Sequence, residues 1–211
     1  MFGLINVKPL SVFARIGKDI PSADGVLDMT AELAFPMKEN LTIDDVAYQA
    51  KGSIVDFQMP DTERMSAISG PLIAFSVNPE VLELMGDFQT LGLELDGQFR
   101  FDIKKQKSRL NAEFQIDRAL INTLSLPIPE KMLKGSSVAK LSLNLPKDGN
   151  PRFEIRSDLF ETKLSFNELN WQKPMFSSGE LVASGTLDDG LKFDGIFLAA
   201  DGLVLSGRPV A

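Results

Sequence analysis

Residues Leu91-Gly92-Leu93-Glu94-Leu95-Asp96-Gly97-Gln98-Phe99-Arg100-Phe101-Asp102-Ile103 alternate apolar and polar side chains nearly without a break. Leu91, Leu93, Leu95, Phe99, Phe101 and Ile103 fall on one side, and Glu94, Asp96, Gln98, Arg100 and Asp102 on the other. A period of two is the signature of a strand with one wet face, and Gly97 inside it marks a bend or bulge. At roughly 3.3 Å per residue such a stretch spans about 40 Å, well beyond the strands of about 5 to 6 residues common in compact domains.

The same alternation recurs on both sides of this stretch. Upstream, Gly25 to Phe35 sets Leu27, Met29, Ala31, Leu33 and Phe35 against Asp28, Thr30 and Glu32. Downstream, Leu110, Ala112, Phe114 and Ile116 oppose Asn111, Glu113, Gln115 and Asp117. Further stripes follow at Leu141, Leu143 and Leu145, at Phe153 and Ile155, at Leu164 and Phe166, from Leu181 to Leu187, and at Leu203 and Leu205. Strands of parallel α/β sheets are apolar on both faces, so half-polar stripes predict an antiparallel meander. Turn residues support it at Lys104 to Ser108, at Pro146 to Pro151 and at Asp188-Asp189-Gly190.

Helix signals are few. Pro9 to Lys18, Pro79 to Met85 with Asn78 as cap, and Pro129 to Lys134 ended by Gly135 are the candidates. Two or three short helices cannot cover so many strands, so the apolar face must close on itself or on something that is not protein. The expected fold is mainly β: a long antiparallel meander forming a curved open groove, or half-barrel. Glycines at 25, 70, 92, 135 and 179 suggest a faint internal repeat. A closed barrel or sandwich remains the alternative.

The composition excludes several kinds of chemistry. Of 211 residues, 29 are acidic and 22 basic, for a net charge of −7, which offers no general footprint for nucleic acid. Cysteine and histidine are both absent, removing thiol nucleophiles, zinc–thiolate sites and imidazole bases. No two carboxylates stand out at a spacing that demands an acid–base pair, and nothing calls for a cofactor or a metal. Fifteen Phe accompany one Tyr and one Trp. Phe has no polar handle, so the surplus suits either an ordinary core or a lining that offers no hydrogen-bond partner. No stretch approaches the roughly 20 apolar residues of a membrane span, and Lys8, Pro9, Arg15, Lys18 and Asp19 interrupt any secretory leader at the start.

Individual motifs are weak. Gly202 to Gly207 has the glycine spacing of a phosphate loop but continues Arg208-Pro209, without the Lys and Ser or Thr that the loop requires. Asp44-Asp45 and Asp188-Asp189 fit turns better than calcium ligands. Asn40-Leu41-Thr42 is a formal glycosylation sequon. Lys104, Lys105, Lys107 and Arg109 form the one basic cluster, which suits a solvated turn better than a contact with anionic headgroups.

Leu164 to Pro174, which contains Asn167-Glu168-Leu169-Asn170-Trp171-Gln172-Lys173-Pro174, is followed by Gly179-Glu180-Leu181 and by Phe193 to Gly207. This series resembles the AsmA-like envelope proteins, in particular the YhdP-like branch. Phe13 to Gly25, Tyr48 to Phe57 and Ser69-Gly70-Pro71-Leu72 are also similar to a domain of unknown function in that branch. The resemblance touches most of the chain and rests on Gly, Asp and Leu patterns, with no catalytic residues. It implies a periplasmic segment of a larger Gram-negative protein that is anchored in the inner membrane by a helix outside this chain. It further implies repeated β-modules that form a groove for phospholipid or fatty acyl chains.

On this reading residues 1–211 are a single β-groove segment with possible sub-modules 1–78, 79–134 and 135–211. It would touch neighbouring modules of its parent, bind no nucleic acid and carry no transmembrane span. The groove would be lined by Leu27, Met29, Leu33, Phe35, Leu93, Leu95, Phe99, Phe101, Ile103, Phe114, Ile116, Leu141, Leu143, Phe153 and Ile155. Acyl chains need only dispersion contacts and exclusion of water, which such side chains supply. Each of these residues reads equally as the core of a closed β-module.

Overall fold

The computed structural model describes residues 24–37, 39, 45–60, 67–90, 92–126, 128–187 and 191–208. Among them the chain is mainly strand, with one short α-helix and one 3-10 turn at Asn167–Leu169. It divides into two compact units, Met1–Leu91 with Leu95–Arg109, and Gly92–Glu94 with Leu110–Ala211.

The first unit is a meander of β1 (Asp24–Ala34), β2 (Ala47–Met59), β3 (Ile68–Val77), β4 (Val81–Thr90) and all but the first two residues of β5 (Leu93–Asp102), ordered in space as in sequence. β1 lies at the sheet edge with β2 as its hydrogen-bonded neighbour. Pairing is antiparallel, and the register places apolar residues opposite one another. Leu27, Ile54, Ile73 and Gly86 form one cross-strand row; Met29, Gly52, Phe75 and Leu84 form the next; Ala31, Ala50, Val77 and Leu82 form a third. The opposite, more exposed face carries Asp28, Thr30, Lys51, Ser53, Ser76 and Glu83, along with Val26, Val55, Leu72 and Met85. Alternation therefore sorts the side chains into one dry and one wet face across the sheet.

The second unit contains β6 (Lys107–Ile116), α1 (Arg118–Thr123), β7 (Leu133–Gly135), β8 (Ser137–Leu145), β9 (Arg152–Ser157), β10 (Thr162–Phe166), β11 (Trp171–Lys173), β12 (Glu180–Leu187), β13 (Leu191–Ala200) and β14 (Leu203–Gly207). Its large sheet runs β6-β8-β9-β12-β13-β14, and among the described strands β14 pairs with β13 and ends the order. A small sheet, β11-β10-β7, stands apart. Asp201 and Gly202, both at positive φ, close the two-residue hairpin between β13 and β14. The glycine-flanked stretch tested above as a phosphate loop is therefore a hairpin strand.

The meander and its antiparallel pairing match the sequence reading, and the turns at Lys104 to Ser108 and at Pro146 to Pro151 fall between strands as expected. Two expected helices are corrected. Pro79 to Met85 enters β4: the Asn78 side chain accepts from the backbone N–H groups of Glu80 (2.8 Å) and Val81 (2.9 Å), while Asn78 N–H donates to Val81 O (2.9 Å). Asn followed by Pro is as good a tight turn as a helix start, and the strand after it settles the choice. Pro129 to Lys134 is a turn that runs into β7.

The α-helix among the described residues was not expected. Asp117 caps α1 by accepting from Leu120 N–H (2.8 Å), and Arg118 donates to the carbonyls of Ile128, Pro129, Glu130 and Leu133, fastening the following loop. The expected helix at Pro9 to Lys18, the Asn40 sequon, Asp44 and the Asp188-Asp189-Gly190 turn lie outside the described residues. The flanks of that last turn pair as Leu187 with Leu191.

Candidate functional site

The apolar sheet face is the candidate site; among the described residues the clefts are shallow and open, one of them lined by Lys140, Arg156, Asp158 and Glu180. In the first unit, buried Ile54, Phe75, Val77, Phe101 and Ile103 form a cluster. Leu27, Tyr48, Ala50, Phe57, Leu82, Leu84 and Phe99 pack against it. Every one of these residues comes from β1 to β5 or, as Ile103 does, directly follows β5. Among the described residues the cluster is thus built by one sheet, with no helix or second sheet contributing to it.

In the second unit the same kind of face is covered at one end. Buried Ile121 of α1, Leu133 of β7, Leu159, Leu164 of β10 and Leu198 of β13 form a core, with Ile116, Phe166, Trp171, Leu181 and Leu205 packed on it. The small sheet and α1 therefore cap the row Ala139, Ser157, Leu181, Leu198 and Leu205. Two neighbouring rows lie outside this core: Leu141, Ile155, Ala183 and Ile196, and Leu143, Phe153, Gly185 and Phe193. Phe153 and Phe193 meet edge to face at 5.5 Å between ring centroids. This cap refines the sequence inference: short strands together with one short helix supply a second layer over part of the face.

The expected lining residues separate into three groups. Leu95, Phe101, Ile103 and Phe153 are buried. Leu27, Leu93, Phe99, Phe114, Ile116, Leu141, Leu143 and Ile155 are half-buried, and Met29, Leu33 and Phe35 are exposed. Met29 and Leu33 follow from position, because among the described strands β1 neighbours only β2, and Phe35 directly follows β1. Ile116 packs into the capped core. Sequence reading missed Ile54, Ile73, Phe75, Leu82 and Leu84, which hold the centre of the first face.

Charged groups on the wet faces pair locally. Lys104 Nζ lies 2.7 Å from Glu80 Oε1 and Lys105 Nζ 3.1 Å from Asp102 Oδ2, so two members of the basic turn cluster already have acids. The Lys104 hydrogen bond holds the Glu80 carboxyl below its ordinary pKa, and the Lys105 backbone N–H does the same for Asp102. Among the described residues, no group of three or more Asp and Glu is arranged to hold a metal. None of their helices is long and apolar enough to cross a membrane.

One buried polar network lies beside the capped core. Lys173, fully buried, donates from Nζ to the carbonyls of Thr162 (2.8 Å) and Pro174 (3.2 Å). The Ser157 hydroxyl bonds Val138 O (2.8 Å) and lies 3.1 Å from Ser137 Oγ, and Thr162 Oγ1 donates to Leu159 O (2.7 Å). Because the ammonium spends its hydrogen bonds on carbonyls, it ties strands together and activates no hydroxyl.

Burial pushes the Lys173 pKa below the ordinary lysine value, against the opposing pull of Asp201 and Asp158. Between that lowered value and 10.5, the unfolded chain binds more protons than the folded one, so Lys173 makes stability rise with pH across this window. Lys173→Met should flatten that alkaline rise. Urea midpoints measured from neutral pH up to the ordinary lysine pKa test it, and an unchanged slope would remove Lys173 as its source.

Compared with known proteins, the chain matches no family model, no curated protein and no solved structure.

Proposed function

We propose that this chain is a non-enzymatic lipid-binding segment of a bacterial cell-envelope protein. Its apolar β-face shields acyl chains from water, serving phospholipid transport between membranes or maintenance of the outer membrane. The observation that carries this reading is the first unit's apolar cluster, to which, among the described residues, only strands of one sheet and the residue that follows β5 contribute. A face of Phe, Leu, Ile and Val gives an acyl chain dispersion contacts and dryness, while the headgroup stays in water. The resemblance to AsmA-like proteins of the YhdP-like branch supports the same reading. It would place the segment in the periplasm, within a parent anchored in the inner membrane and beside further modules of the same kind.

A second reading is a structural or partner-binding β-module. It draws on the capped core of the second unit, where protein already covers part of the face. Mass spectrometry of organic extracts and of the intact, gently purified protein separates the two. The lipid reading expects co-purified phospholipid or fatty acid in stoichiometric amount. Protein that emerges lipid-free and takes up no added fatty acid would sink it in favour of the closed module.

A further inference from the structure

Among the described strands, β14 (Leu203–Gly207) ends the order of the second unit's large sheet. Its two-residue hairpin fixes which backbone groups are free. Ala200 and Leu203 flank the turn and form its closing hydrogen-bonded pair, so Leu203, Leu205 and Gly207 turn their N–H and C=O groups toward β13. Val204 and Ser206 point theirs the other way, where no described strand receives them. Natural sheet edges are blunted by charged side chains, proline or a bulge. β1, the edge in the first unit, carries Asp24, Asp28 and Glu32 and a register shift between Asp24 and Val26. Leu203-Val204-Leu205-Ser206-Gly207 has none of these, and Val204 is 67% exposed.

This strand is its own complement. Turned antiparallel on itself about Leu205, it sets Val204 opposite Ser206 of a second copy, twice by symmetry, and every outward N–H and C=O of the pair finds a partner. Leu205 meets Leu205 of the second copy, which continues the row of Leu181, Leu198 and Leu205. Leu203 falls opposite Gly207 of the second copy. No atom lies within 4 Å of where a Gly207 side chain would begin, and Ile196, its partner on β13, is 40% exposed. The leucine therefore enters a gap and covers an isoleucine. Arg208, exposed and without an ion pair among the described residues, falls opposite Gly202 of the second copy, one residue from that copy's exposed Asp201. Asp194, the nearest acid in register on its own sheet, lies a strand further away.

We propose that β14 pairs antiparallel with β14 of a second copy of this chain, Val204 opposite Ser206 and Leu205 opposite Leu205, to join two large sheets across a two-fold axis. Backbone hydrogen bonds supply the attraction, and the Leu203, Gly207 and Arg208 matches fix the register. Five residues bury little surface, so the dimer is weak and depends on concentration. The pairing does not rest on the lipid reading.

Sedimentation equilibrium of the full chain over a concentration series tests the proposal. Monomer should pass to dimer and to nothing larger. Val204→Pro removes an outward N–H while leaving the β13 ladder intact. It should raise the dissociation constant about tenfold or more, since symmetry deletes two hydrogen bonds. Val204→Lys with Ser206→Lys sets like charges opposite one another and should abolish the dimer, as should Val204→Glu with Ser206→Glu. Mixed in equal amounts, the basic and acidic double variants should dimerise with each other. Urea midpoints equal to the parent's, measured where all are monomeric, show that the variants are folded; should Val204→Pro misfold, the mixture decides. A parent that stays monomeric throughout, folded variants that dimerise as the parent does, or double variants that stay monomeric on mixing overturn the proposal. Species larger than a dimer assign β14 to another edge, such as β1, and overturn it as well.

Discussion

Gly185→Val is expected to unfold the second unit at urea concentrations that leave the parent chain folded. Gly185 pairs with Phe153 on β9 and with Phe193 on β13, directly after the register shift between Ser184 and Gly185. A Cβ there would collide with the Lys192 carbonyl oxygen and come within 2.7 Å of Phe153 Cζ. The ring has no free space to enter, since Phe153 is buried and locked edge to face on Phe193. The carbonyl belongs to the ladder itself, so relief requires parting β12 from β13. The cost is about 3 kcal/mol or more, at the upper end for overpacking because backbone has to move. Gly185→Ala should show most of the loss, as the first carbon already makes the clash. Gly207→Ala, where nothing lies within 4 Å of the added carbon, should be close to neutral. Equal urea midpoints for the parent and Gly185→Ala would contradict the β9-β12-β13 register.

The second large effect separates core from lining within one strand. Phe101 is buried in the cluster with Ile54, Phe75, Val77 and Ile103, whereas Phe99 packs against that cluster half-buried. Phe101→Ala should cost about 3 to 4 kcal/mol of stability, read from the urea midpoint at constant slope. On the proposed lipid-binding function, Phe99→Asp should leave unfolding cooperative and lower whatever lipid the parent chain retains, because a half-buried carboxylate can stay hydrated while repelling an acyl chain. Global unfolding by Phe99→Asp would place that ring in a closed core and count against the lipid reading.

Some of this was legible in the sequence, for identifiable reasons. β1, β5, β6 and β8 carry stripes that period-two alternation reports directly, with Gly97 the one gap in that of β5. β2 was missed as a stripe because Asp56, at a φ of 53°, sits where the β1–β2 register slips between Asp24 and Val26. β3 and β4 were hidden by Gly70-Pro71, by Gly86 at a φ of 151° and by an Asn-Pro turn that mimics a helix start. The cap of the second unit was invisible because β7 and β11 have three residues each and gain their meaning from contacts distant in sequence. Leu164 and Phe166 were rightly seen as strand but belong to that small layer. The burial of Lys173 left no trace in a Trp-Gln-Lys-Pro string that looks like surface.

The agreement between spatial and chain order in the first unit bears on how this protein folds and how its length can change. Each strand from β1 to β5 neighbours its predecessor, so the unit can zip up one hairpin at a time, each forming within microseconds and shortening the search for the next. In the second unit β6 is followed in the sheet by β8, and β9 by β12, so those closures wait for the intervening small sheet or loop across it. A hairpin gained or lost at the β1 edge would leave every other pairing of the first unit in place. Such a meander can lengthen or shorten in whole hairpins without redesign of what already exists.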